Sequence, residues 1–141
     1  MYLLDTNVIS ELYKAGDGKA DANVSAWLSA NNSGDFYVSP ITLFEIEVGI
    51  LRSERRDAIK GAQLRRWMTD RIIPEFEGRV LPIDVAVAFR CAGLHVPFTK
   101  SDNDAWIAAT ALVYDMTVVT RNTSDFETTG VKLLNPWNAL S

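Results

Sequence analysis

The sequence predicts an α/β layered domain built on a parallel sheet. Three observations lead there. Short apolar runs of β type alternate with longer stretches of helical periodicity. Capping residues follow the first two runs directly, so strands pass straight into helices. The 141 residues show no repeat, low-complexity segment or evident linker, which suits one domain over residues 1–141. Strands and helices in alternation close through right-handed crossovers into a parallel sheet.

Tyr2-Leu3-Leu4 is the first short run, and Asp5-Thr6-Asn7 supplies caps for a helix from Val8 to about Lys14. Gly16-Asp17-Gly18 is a loop. Ala20 to about Ala30 reads as a helix with Val24, Trp27 and Leu28 on one face, broken by Asn31-Asn32-Ser33-Gly34. Phe36-Tyr37-Val38 is the second strand. Ser39-Pro40 then starts a helix, with Ser as N-cap and Pro in the first turn, running to about Arg52. A basic amphipathic helix is expected from about Glu54 to Arg71, before Pro74. Val80 to Ile83 is a weaker third strand, and Asp84 to about Leu94 is helical. Ser101 opens a helix to about Tyr114. Thr117 to Thr120 is the clearest strand, and Val131 to Leu134 the last.

Composition narrows the chemistry. Hydrophobic residues at 48% and charged residues at 23% describe a globular chain, not a disordered one. A single cysteine, Cys91, excludes an internal disulfide, and with one histidine, His95, a Cys/His zinc site is excluded too. A Ser-His-Asp triad would have to use His95, which sits in an apolar helical stretch. No apolar run is long enough for a transmembrane helix, and the first residues lack the basic and apolar regions of a signal peptide. A cytoplasmic protein without membrane contact is expected. The formal net charge of −4 speaks against a nucleic-acid partner when taken alone.

Parallel sheets bind ligands beyond the carboxyl ends of their strands. Four acids fall at that pole. Asp5 follows the first strand, Glu45 lies on the helix after the second, Asp104 on the first turn after Ser101, and Asp125 in the loop after Thr120. Crowded carboxylates raise one another's pKa and are normally compensated by a divalent cation, and oxygen ligands favour Mg²⁺ or Mn²⁺. Taken singly, each acid has a plainer explanation. Asp5 can be a helix cap, Glu45 a solvated helix residue, Asp104 half of a capping box with Ser101, and Asp125 a turn residue.

The segments Leu4-Asp5-Thr6-Asn7, Glu45 to Ile50, Asp104 to Ala111, Thr120-Arg121-Asn122-Thr123-Ser124-Asp125-Phe126 and Asn135-Pro136-Trp137 together resemble a PIN domain. More narrowly, the chain resembles the VapC/FitB-type toxins of bacterial type II toxin–antitoxin systems, over essentially its whole length. The resemblance implies a three-layer fold, with a parallel sheet of five short strands and helices on both sides. It places Asp5, Glu45, Asp104 and Asp125 as the acidic metal-binding quartet, with Thr6 and Asn122 as supporting polar residues. It implies a Mg²⁺- or Mn²⁺-dependent endoribonuclease leaving 5′-phosphate and 3′-hydroxyl ends. Its implied partners are an RNA substrate, transfer RNA among the options, a cognate antitoxin and a second copy of the chain, with operator DNA reached only through the antitoxin. Two further acids lie close by, Asp102 and Glu47. Glu47 would point about 200° away from Glu45 on a helix, which favours Glu45.

Phosphodiester hydrolysis needs an activated water, a neutralised phosphate and a stabilised leaving oxygen, and metal ions supply all three without histidine. Between Arg52 and Arg71, seven basic residues stand against three acids, Glu54, Asp57 and Asp70. This stretch is either an RNA backbone contact or a solvated face with local charge pairs. Trp27, Trp67, Trp106 and Trp137 favour packing roles, with Trp106 nearest the acids. Cys91 and His95, four apart, suit a buried structural pair. Leu12-Tyr13 and Ile50-Leu51 offer docking faces for a partner or ordinary core.

Two competing readings remain at this level. A haloacid-dehalogenase-type phosphatase also opens with Asp after a strand, but it wants a second Asp where Asn7 stands. A catalytically inactive PIN-like module for RNA or protein binding would need no intact acidic set. Setting the four proposed ligands aside leaves no formal net charge, and bound divalent cations would reverse the local sign where a phosphate must sit.

Overall fold

A computed structural model describes residues 1–97 and 101–138. Its sheet has four strands, β1 (Tyr2–Leu4), β2 (Phe36–Tyr37), β3 (Thr117–Val119) and β4 (Lys132–Leu134). Their order is β2-β1-β3-β4 and every pairing is parallel. The register sets Leu4 beside Val119 and Val119 beside Leu134, so the strands end nearly level. Residues immediately beyond them are therefore neighbours.

Seven α-helices are described: α1 (Thr6–Ala15), α2 (Ala22–Ala30), α3 (Pro40–Arg56), α4 (Ala58–Trp67), the single turn α5 (Ile73–Glu75), α6 (Val85–Leu94) and α7 (Asp102–Val113). Both faces of the sheet are covered, as parallel sheets require. Side chains alternate along each strand. Leu4 and Val119 face a cluster with Val8, Ile9, Trp27 and Ile46, on the side of α1 to α4. Leu3 and Val118 face the opposite cluster with Ile107, Ala108 and Ala111 of α7.

The expected fifth strand does not form as a strand. Val80 meets the sheet only through an isolated parallel bridge to Val38. The Val38 N–H donates to the Arg79 carbonyl at 3.1 Å, and the Leu81 N–H donates to Val38 at 2.9 Å. The next rung would need an N–H from residue 40, which is Pro40 at the start of α3, so the ladder stops there.

The helix boundary expected near Ser53 lies at Asp57 instead. The Asp57 carboxylate accepts the N–H groups of Ile59 and Lys60, capping α4 as α3 ends. The two helices then pack so closely that a Cβ on Gly61 would lie 2.5 Å from the Glu54 Cα. Past Trp67 the chain widens into a π-helical turn, Met68–Ile72, which buries Met68 and Ile72.

The tryptophans pack. Trp27 is in the core, and Trp67 lies edge-on to Tyr13 with ring centroids 5.2 Å apart. Trp106 rests on the Val87–Cys91 cluster under α6. The expected Cys91–His95 pair is replaced by another contact. His95 caps the end of α6 and its Nε2 faces Asp102 at 3.6 Å, while Cys91 is buried. Burial, helped by the negative charge of Asp102, pushes the Cys91 thiol pKa up, so the sulfur stays protonated and inert.

Candidate active site

Asp5 leaves β1 and caps α1. Its Oδ1 accepts the Thr6 N–H at 2.8 Å, so the cap explanation is correct as far as it goes. The other oxygen does different work. Oδ2 accepts the Thr120 hydroxyl at 2.8 Å, and the Asn7 amide approaches it at 3.5 Å. Asp5 is only 7% exposed, and all these donors are neutral. Burial pushes its pKa above the ordinary carboxylate value. Hydrogen bonds from Thr120 and Thr6 oppose that shift, and the charges of Glu45 and Asp125 add to it. Asp5, Glu45 and Asp125 therefore share one electrostatic neighbourhood at the carboxyl pole of the sheet.

Glu45 comes from the second turn of α3. Its Oε1 accepts the Thr6 hydroxyl at 2.7 Å, and Asn103 of α7 lies 3.5 Å from Oε2. Thr6 thus joins two proposed metal ligands, its N–H on Asp5 and its hydroxyl on Glu45. Glu47 points elsewhere, forming a two-pronged pair with Arg65 of α4 at 2.6 and 2.8 Å. That pairing holds the Glu47 carboxyl below its usual pKa.

Asp104 stands on the first turn of α7, beside Asn103, where the helix dipole favours a negative charge. The serine half of a capping box does not form there, because the Ser101 side chain makes no cap bond. The extra acid, Asp102, turns towards His95. Asp125 lies exposed in the 3₁₀ segment Thr123–Thr129, its N–H donating to the Asn122 carbonyl at 3.0 Å. Asn122 supports the site through its main chain, since its N–H also donates to the Thr120 hydroxyl at 3.0 Å.

Three polar residues that the sequence reading did not single out complete the site. Thr120 is fully buried between Asp5 and Asn122. Asn7 bridges to Thr120 at 3.3 Å and accepts the Arg121 N–H at 3.3 Å. Asn103 reaches Glu45. The missed signal was positional. Thr120 follows the strand adjacent to β1, level with Asp5.

A divalent cation suits the donor chemistry here. The carboxylates at this pole are oxygen donors, and one of them is buried and destabilised by two negative neighbours. Among the described residues, no three His, Cys, Asp or Glu side chains are grouped so as to hold an ion by themselves. Mg²⁺ tolerates that, since it keeps several waters and takes only one or two carboxylates directly.

The PIN domain family model matches residues 2–132. The VapC ribonuclease Y4jK of Sinorhizobium fredii is 36% identical over 144 residues, spanning 97% of this chain and 98% of that protein. The toxin FitB of Neisseria gonorrhoeae is 35% identical over 98% of this chain and 99% of its own length. The structure of FitAB bound to an IR36 DNA fragment contains a chain that superposes with a TM-score of 0.84 at 35% identity, covering 100% of this chain and 99% of that one.

Proposed function

This chain belongs to the PIN-domain family as a nuclease toxin of the VapC/FitB type, and on that footing we propose that it cuts RNA with Mg²⁺ or Mn²⁺ held by Asp5, Glu45, Asp104 and Asp125. The observation that carries the ligand assignment is the state of Asp5. Its carboxylate is buried, bonded only to neutral donors, and burdened by the charges of Glu45 and Asp125. Short of taking up a proton, it is relieved by a divalent cation entering from outside. When bound, the ion supplies an activated water and neutralises the scissile phosphate.

The chain's own residues do the positioning. Thr6 fixes Asp5 and Glu45 relative to one another, and Thr120 fixes the outer oxygen of Asp5. Asn122 holds Thr120 and the start of the segment bearing Asp125. Asp104 adds an acid at the α7 terminus. Products with 5′-phosphate and 3′-hydroxyl ends are expected.

RNA away from the cut is held by exposed arginines. Arg65 is taken up by Glu47 and Glu54, but among the described residues no acid pairs with Arg52, Arg55 or Arg56. Arg52 and Arg56 share the Glu45 face of α3 within about 20°, roughly 10 and 16 Å farther along. Their charges track away from the site as a phosphate backbone would.

The partners proposed are a cognate antitoxin and a second copy of the chain, with operator DNA contacted through the antitoxin. FitB is found with FitA on DNA. A groove of about 920 Å³ lined by Leu12, Tyr13, Leu28 and Trp67, together with charged Arg66 and Asp70, offers the antitoxin a seat of mixed character. Among the described residues no helix is long and apolar enough to cross a membrane. The proposed setting for this toxin is the cytoplasm, as a single domain over 1–141.

The test is RNA cleavage by the purified chain during titration with Mg²⁺ and Mn²⁺. Metal-dependent turnover that vanishes with Asp5→Ala supports the assignment. Turnover retained by Asp5→Ala, or untouched by a chelator, overturns it.

A further inference from the structure

Arg121 sits at the edge of the acidic site and, among the described residues, pairs with no acid. It directly follows Thr120, the residue bonded to Asp5, and precedes Asn122. Its main chain is pinned on both sides. The N–H donates to Asn7 Oδ1 at 3.3 Å, and the carbonyl accepts the Asn135 amide at 3.5 Å. Its guanidinium lies over the Trp137 ring, 5.4 Å from the centroid. Among the described residues none of its N–H groups meets a carboxylate, although Asp5 and Asp125 are near in the chain and fold.

Trp137 is itself anchored. Its N–H donates to Asn135 Oδ1 at 2.9 Å, its carbonyl accepts the Asn23 amide at 2.8 Å, and its ring packs partly on the core. Sheet order fixes what this means. Glu45 comes from the helix after β2, Asp5 from the end of β1, Arg121 from the end of β3, and Trp137 from beyond β4. The acids and the Arg121–Trp137 pair therefore lie side by side along one edge.

An exposed arginine beside carboxylates would ordinarily collapse onto one of them. The Trp137 ring offers the guanidinium a cation–π seat instead, and Arg121 is exposed, so its forked donors stay open to solvent. We propose that Arg121, held by Trp137, binds a phosphate of the RNA strand next to the one being cut, on the β3–β4 side of the metal ligands. Arg121 touches substrate, and Trp137 is a positioning residue. The assignment rests on the nuclease reading above and adds a second anchor to it. An anionic strand approaching an acidic cleft needs a fixed cation nearby, and the guanidinium fork matches phosphate oxygens two at a time.

The experiment uses the full chain carrying Asp5→Asn to prevent cutting, with a labelled mixed-sequence single-stranded oligoribonucleotide as probe. Binding is measured by fluorescence anisotropy across a salt series, with thermal melts as a fold check. Adding Arg121→Gln is expected to weaken binding about tenfold. It should also lower the slope of log affinity against log salt by about one. Arg121→Lys should keep the slope and lose part of the affinity, because an ammonium lacks the fork. Trp137→Leu should weaken binding severalfold with Arg121 still charged. If that variant unfolds, the exposed Arg121 substitutions decide. In the chain with Asp5 intact, Arg121→Gln should raise KM more than it lowers kcat.

Unchanged affinity and slope in Arg121→Gln, beside a wild type that cleaves RNA, overturns this inference alone. A slope lost equally by Arg121→Lys and Arg121→Gln overturns it as well. A wild type that neither binds nor cleaves RNA with Mg²⁺ or Mn²⁺ present overturns the nuclease reading and this inference together.

Discussion

The hydroxyl of Thr120 donates to Asp5 Oδ2 at 2.8 Å, joining residues 115 positions apart. The bond is buried. It exists because β1 and β3 are parallel neighbours in a register that pairs Leu4 with Val119. Removing the hydroxyl by Thr120→Val keeps the shape and leaves Asp5 with one fewer donor. Metal affinity or cleavage rate should fall by roughly 10- to 100-fold, as for other residues that orient a ligand. Isothermal titration with Mn²⁺ and a cleavage time course would check this. Wild-type values would show that the bond orients nothing.

Asp5 makes a prediction about pH. Its folded pKa lies above the unfolded value of about 3.8, chiefly through burial. The folded state therefore binds the proton more tightly than the unfolded state. This group costs no stability while protonated in both states, and its cost grows as pH rises from about 3.8 through the raised value. In chelator at neutral pH, Asp5→Asn should melt higher than wild type while cleaving nothing. Mg²⁺ or Mn²⁺ should raise the wild-type melting temperature and leave the variant's unchanged. A variant that melts lower in chelator would contradict the assigned strain.

Glu45 and Glu47 should separate cleanly. Glu45→Gln is expected to lower cleavage by orders of magnitude with little change in melting temperature. Glu47→Gln removes one of the two charged partners of Arg65 and should lower the melting temperature slightly while cleavage persists. The stabilising effect of Glu47 depends on its charge. Because its pKa is depressed, that effect is present above the unfolded pKa of about 4.5 and is lost as pH falls through the folded value. The reverse pattern of activities would exchange their roles.

Reversing Arg52, Arg55 and Arg56 to Glu should weaken RNA binding and flatten its salt dependence. Arg65→Glu should mainly cost stability, because Arg65 already serves Glu47 and Glu54. Equal salt slopes for wild type and the triple variant would make the α3 arginines a solvated face.

Gly61→Ala tests the α3–α4 crossing. A methyl group there would lie 2.5 Å from the Glu54 Cα, so one helix must shift. Overpacking of this kind costs about 1–3 kcal/mol, which urea unfolding resolves. An unchanged midpoint would mean the helices part without cost.

Local chemistry was legible in the sequence. Asp5 and Ser39 cap the helices they precede, and strand–helix alternation sets the parallel sheet. Those features depend on neighbours in the chain, so periodicity and capping rules reach them. The strand-end rule singled out Asp5, Glu45, Asp104 and Asp125, and the resemblance of five short motifs then implied a metal-binding role for them. What required the folded chain were relations between distant segments. Val80 forms a bridge rather than a strand because Pro40, opening α3, has no N–H for the next rung. Of the seven basic residues from Arg52 to Arg71, only α3–α4 packing shows that Arg65 is committed to Glu47 and Glu54. Thr120 and Arg121 enter the site only because β3 lies beside β1. A single sequence records which groups are present and how nearby residues cap one another. Strand order decides which of those groups meet, and it buries Asp5 beside Thr120 within reach of the charges of Glu45 and Asp125, which add to what burial already costs it.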